Sequence, residues 1–102
     1  MEVTIDDGGF ATRDSSEVLP IVFDYDDVLA VGVVLASVGT ITVTPVTGAP
    51  TVTNIVLMAG NRKVMGMRSG GTVGRTYTYE HTVQTNEIPA PTYSPWIKER
   101  IT

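Results

Sequence analysis

The chain has 102 residues, 42% of them hydrophobic and 18% charged, with a net charge of −4. That is enough for one domain with a single core, and it excludes a disordered polypeptide. The lack of cysteine excludes a disulfide framework and a thiolate metal site, and the longest apolar run, Val28 to Val38, is too short to span a bilayer.

The opening Met1-Glu2-Val3-Thr4-Ile5-Asp6-Asp7 is acidic and lacks the charged-then-apolar build of a signal peptide. The expectation is a protein used in a reducing cytoplasm, or assembled there into something that later leaves. Charge is unevenly spread. Residues 1–27 hold eight acids and one base, whereas residues 28–102 hold three acids and six bases. Such asymmetry favours head-to-tail contact between copies, with a solvated acidic leader as the plainer reading. The global charge argues against nucleic acid as a partner.

Thr and Val occur fifteen times each and Ile seven times, so the chain is rich in β-branched residues that suit a pleated, half-buried surface. No helical apolar period runs for three turns, and the chain reads as all-β. Residues 1–18 read as an acidic arm with one short strand, Glu2 to Ile5. Only Val3, Ile5, Phe10 and Val18 in this arm are able to pack. The rest, residues 19–102, is expected to form one β-sandwich domain.

Within that domain, Pro20 to Asp24 is a short strand whose proline suits a strand start or an edge. Val31 to Val38 is expected as a continuous, central apolar strand. Thr40 to Thr44 alternates, with Ile41 and Val43 on one face. Thr51 to Met58 and Lys63 to Arg68 form a pair across the turn signal Gly60-Asn61. Arg75 to Thr85 is the cleanest run, placing Tyr77, Tyr79, His81 and Val83 on one face. The proline-rich stretch 87–95 is expected as a stiff protruding loop. Trp96 to Ile101 closes the chain, with Trp96, Lys98 and Arg100 on one side and Ile97 and Ile101 on the other. Seven short strands with turns at short intervals describe an immunoglobulin-like or fibronectin-like sandwich with an extended N-terminal arm.

Candidate chemistry is sparse. His81 is the sole histidine, no serine sits in a nucleophile elbow, and a packed histidine is the better reading. One histidine without cysteine makes no zinc site. Asp24, Asp26 and Asp27 offer oxygens to Ca²⁺ but lack the glycine and distal glutamate of an EF-hand loop, so strand-end hydrogen bonding is favoured. Ser69 to Arg75 is glycine-rich, but a strand follows it where a phosphate loop needs a helix, so it reads as a turn with positive-φ positions. Arg62, Lys63, Arg68, Arg75, Lys98 and Arg100 suggest a contact surface for an acidic protein. Met58, Met65 and Met67 read as core filling in preference to an adaptable interface. Tyr93 and Trp96 flank Ser94-Pro95 and are interface candidates, with Trp96 equally suited to the core. The profile is that of an interaction module with no catalytic residue, no cofactor and no metal.

One pattern adds a family. Val22-Phe23-Asp24-Tyr25-Asp26-Asp27-Val28-Leu29-Ala30 leads to Leu35-Ala36-Ser37-Val38-Gly39-Thr40-Ile41-Thr42-Val43-Thr44-Pro45. Later come Ser69-Gly70-Gly71-Thr72-Val73-Gly74-Arg75-Thr76-Tyr77-Thr78-Tyr79 and Thr82-Val83-Gln84-Thr85. Over roughly residues 20–86 this resembles small immunoglobulin-like virion proteins of tailed bacteriophages, of the fibre–tail adaptor or neck type. The resemblance implies a virion protein, assembled in the host cytoplasm, that docks on other copies of itself and on tail tube, portal-proximal adaptor or fibre proteins. No nucleic acid or membrane is implied as a partner. The expected interface draws on Val3, Ile5, Asp6, Asp7 and Phe10 of the arm, on Arg62, Lys63 and Arg68 as its basic counterpart on a neighbour, and on Tyr93 and Trp96. A capsid decoration protein that clamps the head surface is the alternative, and a carbohydrate-binding module comes third.

Overall fold

The computed structural model describes Val3–Thr4 and residues 10–102. The expectations for Glu2, Ile5, Asp6 and Asp7 lie outside the described residues. The strands are β1 (Val3–Thr4), β2 (Phe10–Arg13), β3 (Leu19–Asp24), β4 (Thr40–Thr44), β5 (Thr51–Leu57), β6 (Lys63–Ser69), β7 (Thr76–Gln84), β8 (Thr92–Tyr93) and β9 (Trp96–Ile101). There is no helix among the described residues. The chain is all-β, as the residue composition predicts.

Two sheets form the sandwich. The first runs β1-β3-β6-β5 and the second β2-β9-β7-β4, with β8 paired to β7. Most neighbours are antiparallel, but β1 runs parallel to β3 and β2 runs parallel to β9. Phe10 to Arg13 is an edge strand of the second sheet, and Ala11 and Arg13 are buried.

Alternation places the core. Ile21 and Phe23 of β3 and Val64 of β6 meet Tyr79 and Val83 of β7 and Ile97 of β9, all buried. Tyr77, Tyr79, His81 and Val83 share the inner face of β7, as the sequence predicts. On β6 the inner positions are Val64, Gly66 and Arg68. Met65 and Met67 take the other face and are half-buried there, so they do not fill the core as expected. The period of two puts them out of phase with Val64.

The Gly60-Asn61 signal is a true β5–β6 connection, with φ of 89° and 55° at the two residues. The glycine-rich segment is a turn as expected, with Gly70, Gly71 and Gly74 all at positive φ. Edge strand β5 carries a register shift between Thr53 and Val56, with Asn54 at φ 54°. A bulge of this kind bends an edge away from unwanted pairing.

Two expectations need correction. Val31 to Val38 is not a central strand. It is the connection between the sheets, and it meets the second sheet through a bridge from Leu35 to Thr85, the Ala36 N–H on the Gln84 carbonyl and the Val38 carbonyl on His81. Val31 is fully exposed whereas Leu35 is buried. Its carbonyls find scattered partners instead of a strand ladder, Val33 with Arg62, Val34 with the Asn86 N–H and Val38 with His81, and an apolar run alone does not signal that. The proline-rich stretch also does more than protrude: Thr92 and Tyr93 fold back to pair with Gln84 and Val83.

Candidate interaction surfaces

The strands hold together partly through charge. Glu99 lies between Ile97 and Ile101 on β9 and so points inward. Its two carboxylate oxygens accept from Arg13 Nε at 3.0 Å and Arg68 Nε at 2.8 Å, and Tyr79 Oη donates to it at 2.7 Å. Arg13 also donates to the carbonyls of Glu17 and Gly70, at 2.9 and 2.7 Å. Arg68 donates to the carbonyl of Pro20. The cluster joins β2, β7 and β9 of one sheet to β6 of the other. Burial, the largest influence, would raise the Glu99 pKa, but the hydrogen bonds from Tyr79 and Arg68, the charge of Arg68 and the Arg13 contact together hold it below the usual carboxylate value. These groups are sealed inside, where they serve the fold.

His81 is equally enclosed. Its Nε2 lies 2.7 Å from the carbonyl of Val38, which only accepts, so Nε2 carries the proton. Nδ1 then accepts from Tyr25 Oη at 2.7 Å. Phe23 stacks on the ring at 5.0 Å between centroids. Burial lowers its pKa against the opposing pull of the Val38 carbonyl. Both ring nitrogens are engaged, which matches the packed histidine that the sequence predicts.

Arg62 organises one pole of the sandwich. It follows the β5–β6 turn and projects into the loop after β3. Its guanidinium donates to Asp26 Oδ1 at 2.9 Å and to the carbonyls of Asp26, Leu29, Ala30 and Val33 at 3.0, 2.9, 3.1 and 2.7 Å. Only a planar fork of five donors serves so many acceptors at once. Lys63 beside it pairs with Asp24 and Asp26, at 3.4 and 3.6 Å. These carboxylates therefore meet cationic side chains, and Asp24 also accepts from the backbone N–H of Asp26. Among the described residues no group of three or more His, Cys, Asp or Glu side chains gathers to hold a metal ion.

The same pole carries the turn after β7. Asn86 binds Val34 twice, accepting its N–H through Oδ1 at 3.1 Å and donating its own N–H to the Val34 carbonyl at 3.0 Å. Val31 and Ile88 stand beyond this pairing with exposures of 103% and 98%. Nearby, an open groove of about 400 Å³ is lined by Ala36, Ser37, Gly39, Thr82, Gln84 and Thr92, with no ionisable side chain.

The outer face of the second sheet has a different character. Phe10 is in register with Lys98, and Thr12 with Arg100. Trp96, Lys98 and Arg100 alternate outward from β9, and Lys98 Nζ sits 5.6 Å from the centroid of the Trp96 ring. Phe10 and Trp96 are 62% and 42% exposed. Lys98 and Arg100 form no ion pair among the described residues.

The candidates named from the sequence are thus dispersed. Val3 is in β1, in register with Phe23. Phe10 and Trp96 lie on the outer face of the second sheet. Tyr93 is half-buried and meets Tyr25 edge-on at 6.0 Å. Arg62 and Lys63 are committed to the loop after β3. Arg68 is 1% exposed, so it presents no basic surface to a neighbour. The sequence reading missed Glu99 and Arg13 as a buried pair. The signal was present, because Glu99 alternates in phase with Ile97 and Ile101. It placed Trp96, Lys98 and Arg100 on one face but missed Phe10 alongside them, which depends on β2 lying beside β9.

A small β-sandwich with enclosed ionisable groups and uncovered aromatic, apolar and charged surface is the build of a structural interaction protein. Residues 13–89 match the Gp77 family, described as the podophage GP4 fiber-tail adaptor protein gp77. The chain belongs to this family. The matched span runs from Arg13 through β7 and takes in the segments that carry the sequence resemblance. Membership gives the chain a fibre–tail adaptor role as a component of a phage virion, in contact with other tail proteins. No curated protein matches the chain.

Proposed function

We propose that this protein is a non-enzymatic subunit at the junction of tail and fibres, working through protein–protein contact with its own copies and with tail tube, portal-proximal adaptor or fibre proteins. The family match over residues 13–89 carries the reading. The enclosure of His81 and of the Arg13–Glu99–Arg68 cluster supports it, since both His81 ring nitrogens and both Glu99 oxygens are engaged inside the fold. Neither nucleic acid nor membrane is part of the proposal. The contact of an acidic arm with a basic neighbour needs a different counterpart from Arg68, which is internal. Removal of residues 2–18 would take out β2 and Arg13, so an arm deletion has to stop at residue 8.

The experiment is quantitative mass spectrometry of purified particles, reading this protein against the major capsid protein. A ratio far below one is expected for an adaptor at the tail. A ratio near one would replace the reading with a capsid decoration protein, and absence from particles would end both.

A further inference from the structure

Two surfaces of this chain are complementary to each other. The first is the pole where Val31 and Ile88 stand almost wholly in solvent. Both side chains sit on loops whose backbones are held, one by the Arg62 guanidinium and the other by the double bond between Asn86 and Val34. Exposed apolar groups on a fixed backbone lose little freedom on docking. Asp27 and Glu87, in the same two loops, are exposed and form no ion pair among the described residues. The local bases, Arg62 and Lys63, are matched by Asp24 and Asp26. The pole is apolar at its tips and acidic at its rim.

The second surface is the outer face of β2 and β9. It offers exposed Phe10 and Trp96 with Lys98 and Arg100 between and beside them. It is aromatic at its centre and mainly basic, with Glu80 in register with Trp96. Exposed tryptophan and arginine are the side chains that dominate binding hot spots.

We propose that the occupant of the basic aromatic face is the acidic apolar pole of a second copy of this chain. Val31 and Ile88 meet Phe10 and Trp96, while Asp27 and Glu87 face Lys98 and Arg100. The two surfaces differ, so the contact is heterologous and each copy keeps one free half. Such contacts propagate into a ring or a filament. This deepens the adaptor reading by naming the surface through which copies meet, and it rests on that reading only for its setting in the virion.

The test uses the purified full chain in sedimentation velocity across roughly 1–100 μM. The wild type is expected to self-associate. The pole variant Val31→Asp/Ile88→Asp and the face variant Lys98→Glu/Arg100→Glu are each expected to weaken association about tenfold or more. Mixed in equal amounts, the two variants are expected to form a dimer and nothing larger, because each supplies the half that the other lacks. A wild type that stays monomeric, either variant associating like wild type, or a mixture that stays monomeric would overturn the proposal. Thermal melts check the fold; if a variant melts early, Val31→Ser/Ile88→Ser and Lys98→Gln/Arg100→Gln take its place with the same outcomes. A chain found in particles that fails to self-associate sinks this proposal alone. A chain that self-associates but is absent from particles sinks the adaptor reading alone.

Discussion

Glu99 on β9 and Arg68 on β6 form an ion pair of 2.8 Å between the two sheets, with both side chains only 2% exposed. Arg13 completes the cluster from β2, its side chain fully buried. Charges this deep are costly to desolvate, and their mutual attraction offsets that cost only while every partner is present. The cluster ties the N-terminal edge strand to the last strand of the fold and to the facing sheet.

Replacing Glu99 would leave two buried guanidinium groups without their carboxylate. Glu99→Ala is expected to cost about 3–5 kcal/mol of unfolding free energy. Glu99→Gln keeps the shape but not the charge, and should recover only a minor part of the loss. Urea denaturation followed by tryptophan fluorescence measures both. A loss within about 0.5 kcal/mol, the range of surface substitutions, would show that the cluster contributes little.

Acid should weaken the fold in two steps. His81 has a folded-state pKa below its ordinary 6.5, because of burial. As pH falls through that value the unfolded chain takes the proton first, so stability begins to drop there and continues to drop until the folded-state value is reached. Glu99 is also held below its ordinary 4.5 in the folded state. Its contribution is present above that value and is lost as pH falls further, through the folded pKa. Urea midpoints at several pH values should therefore fall first on the acid side of 6.5 and again below 4.5. His81→Gln should flatten the upper step and leave the lower one in place.

The Arg62 guanidinium makes five hydrogen bonds to the loop after β3, four of them to carbonyls. Arg62→Ala is expected to destabilise by about 2 kcal/mol and to open that loop locally. Arg62→Lys should not rescue it, since an ammonium group cannot span five acceptors. Hydrogen exchange at the amides of Val33 and Leu35 is the readout. Unchanged protection there would mean that the loop holds without the arginine.

Gly39 enters β4 at φ 68° against β7. A Cβ at this position would lie 2.8 Å from His81 Nε2 and nearer still to the Thr82 carbonyl. Gly39→Ala is expected to cost about 3 kcal/mol, combining backbone strain with overpacking. Gly60→Ala has a similar φ but open space around it, and should cost only about 1 kcal/mol. Equal losses at the two sites would show that crowding against His81 is unimportant.

Several elements were legible because their signal is local. The alternation from Thr76 to Gln84 places Tyr77, Tyr79, His81 and Val83 inside through the geometry of a strand alone. Gly60-Asn61 marks its turn because both residues tolerate positive φ. The ordered blocks around Asp24, Ser37 and Gly70 carried the resemblance to fibre–tail adaptors. By contrast, Val31 to Val38 is as apolar as a buried strand, and its carbonyls are satisfied as a loop by distant residues, Arg62, Asn86 and His81.

The sequence by itself determined the all-β class, most strand positions, the absence of any thiol chemistry and the family resemblance. These rest on side-chain type and a period of two, which act within a few residues. The tertiary structure alone decided that Arg68 is a core residue bound to Glu99, that Phe10 lies beside Lys98, and that Val31 and Ile88 share one pole. Those relationships join positions far apart in the chain, and no local preference encodes which strands will be neighbours.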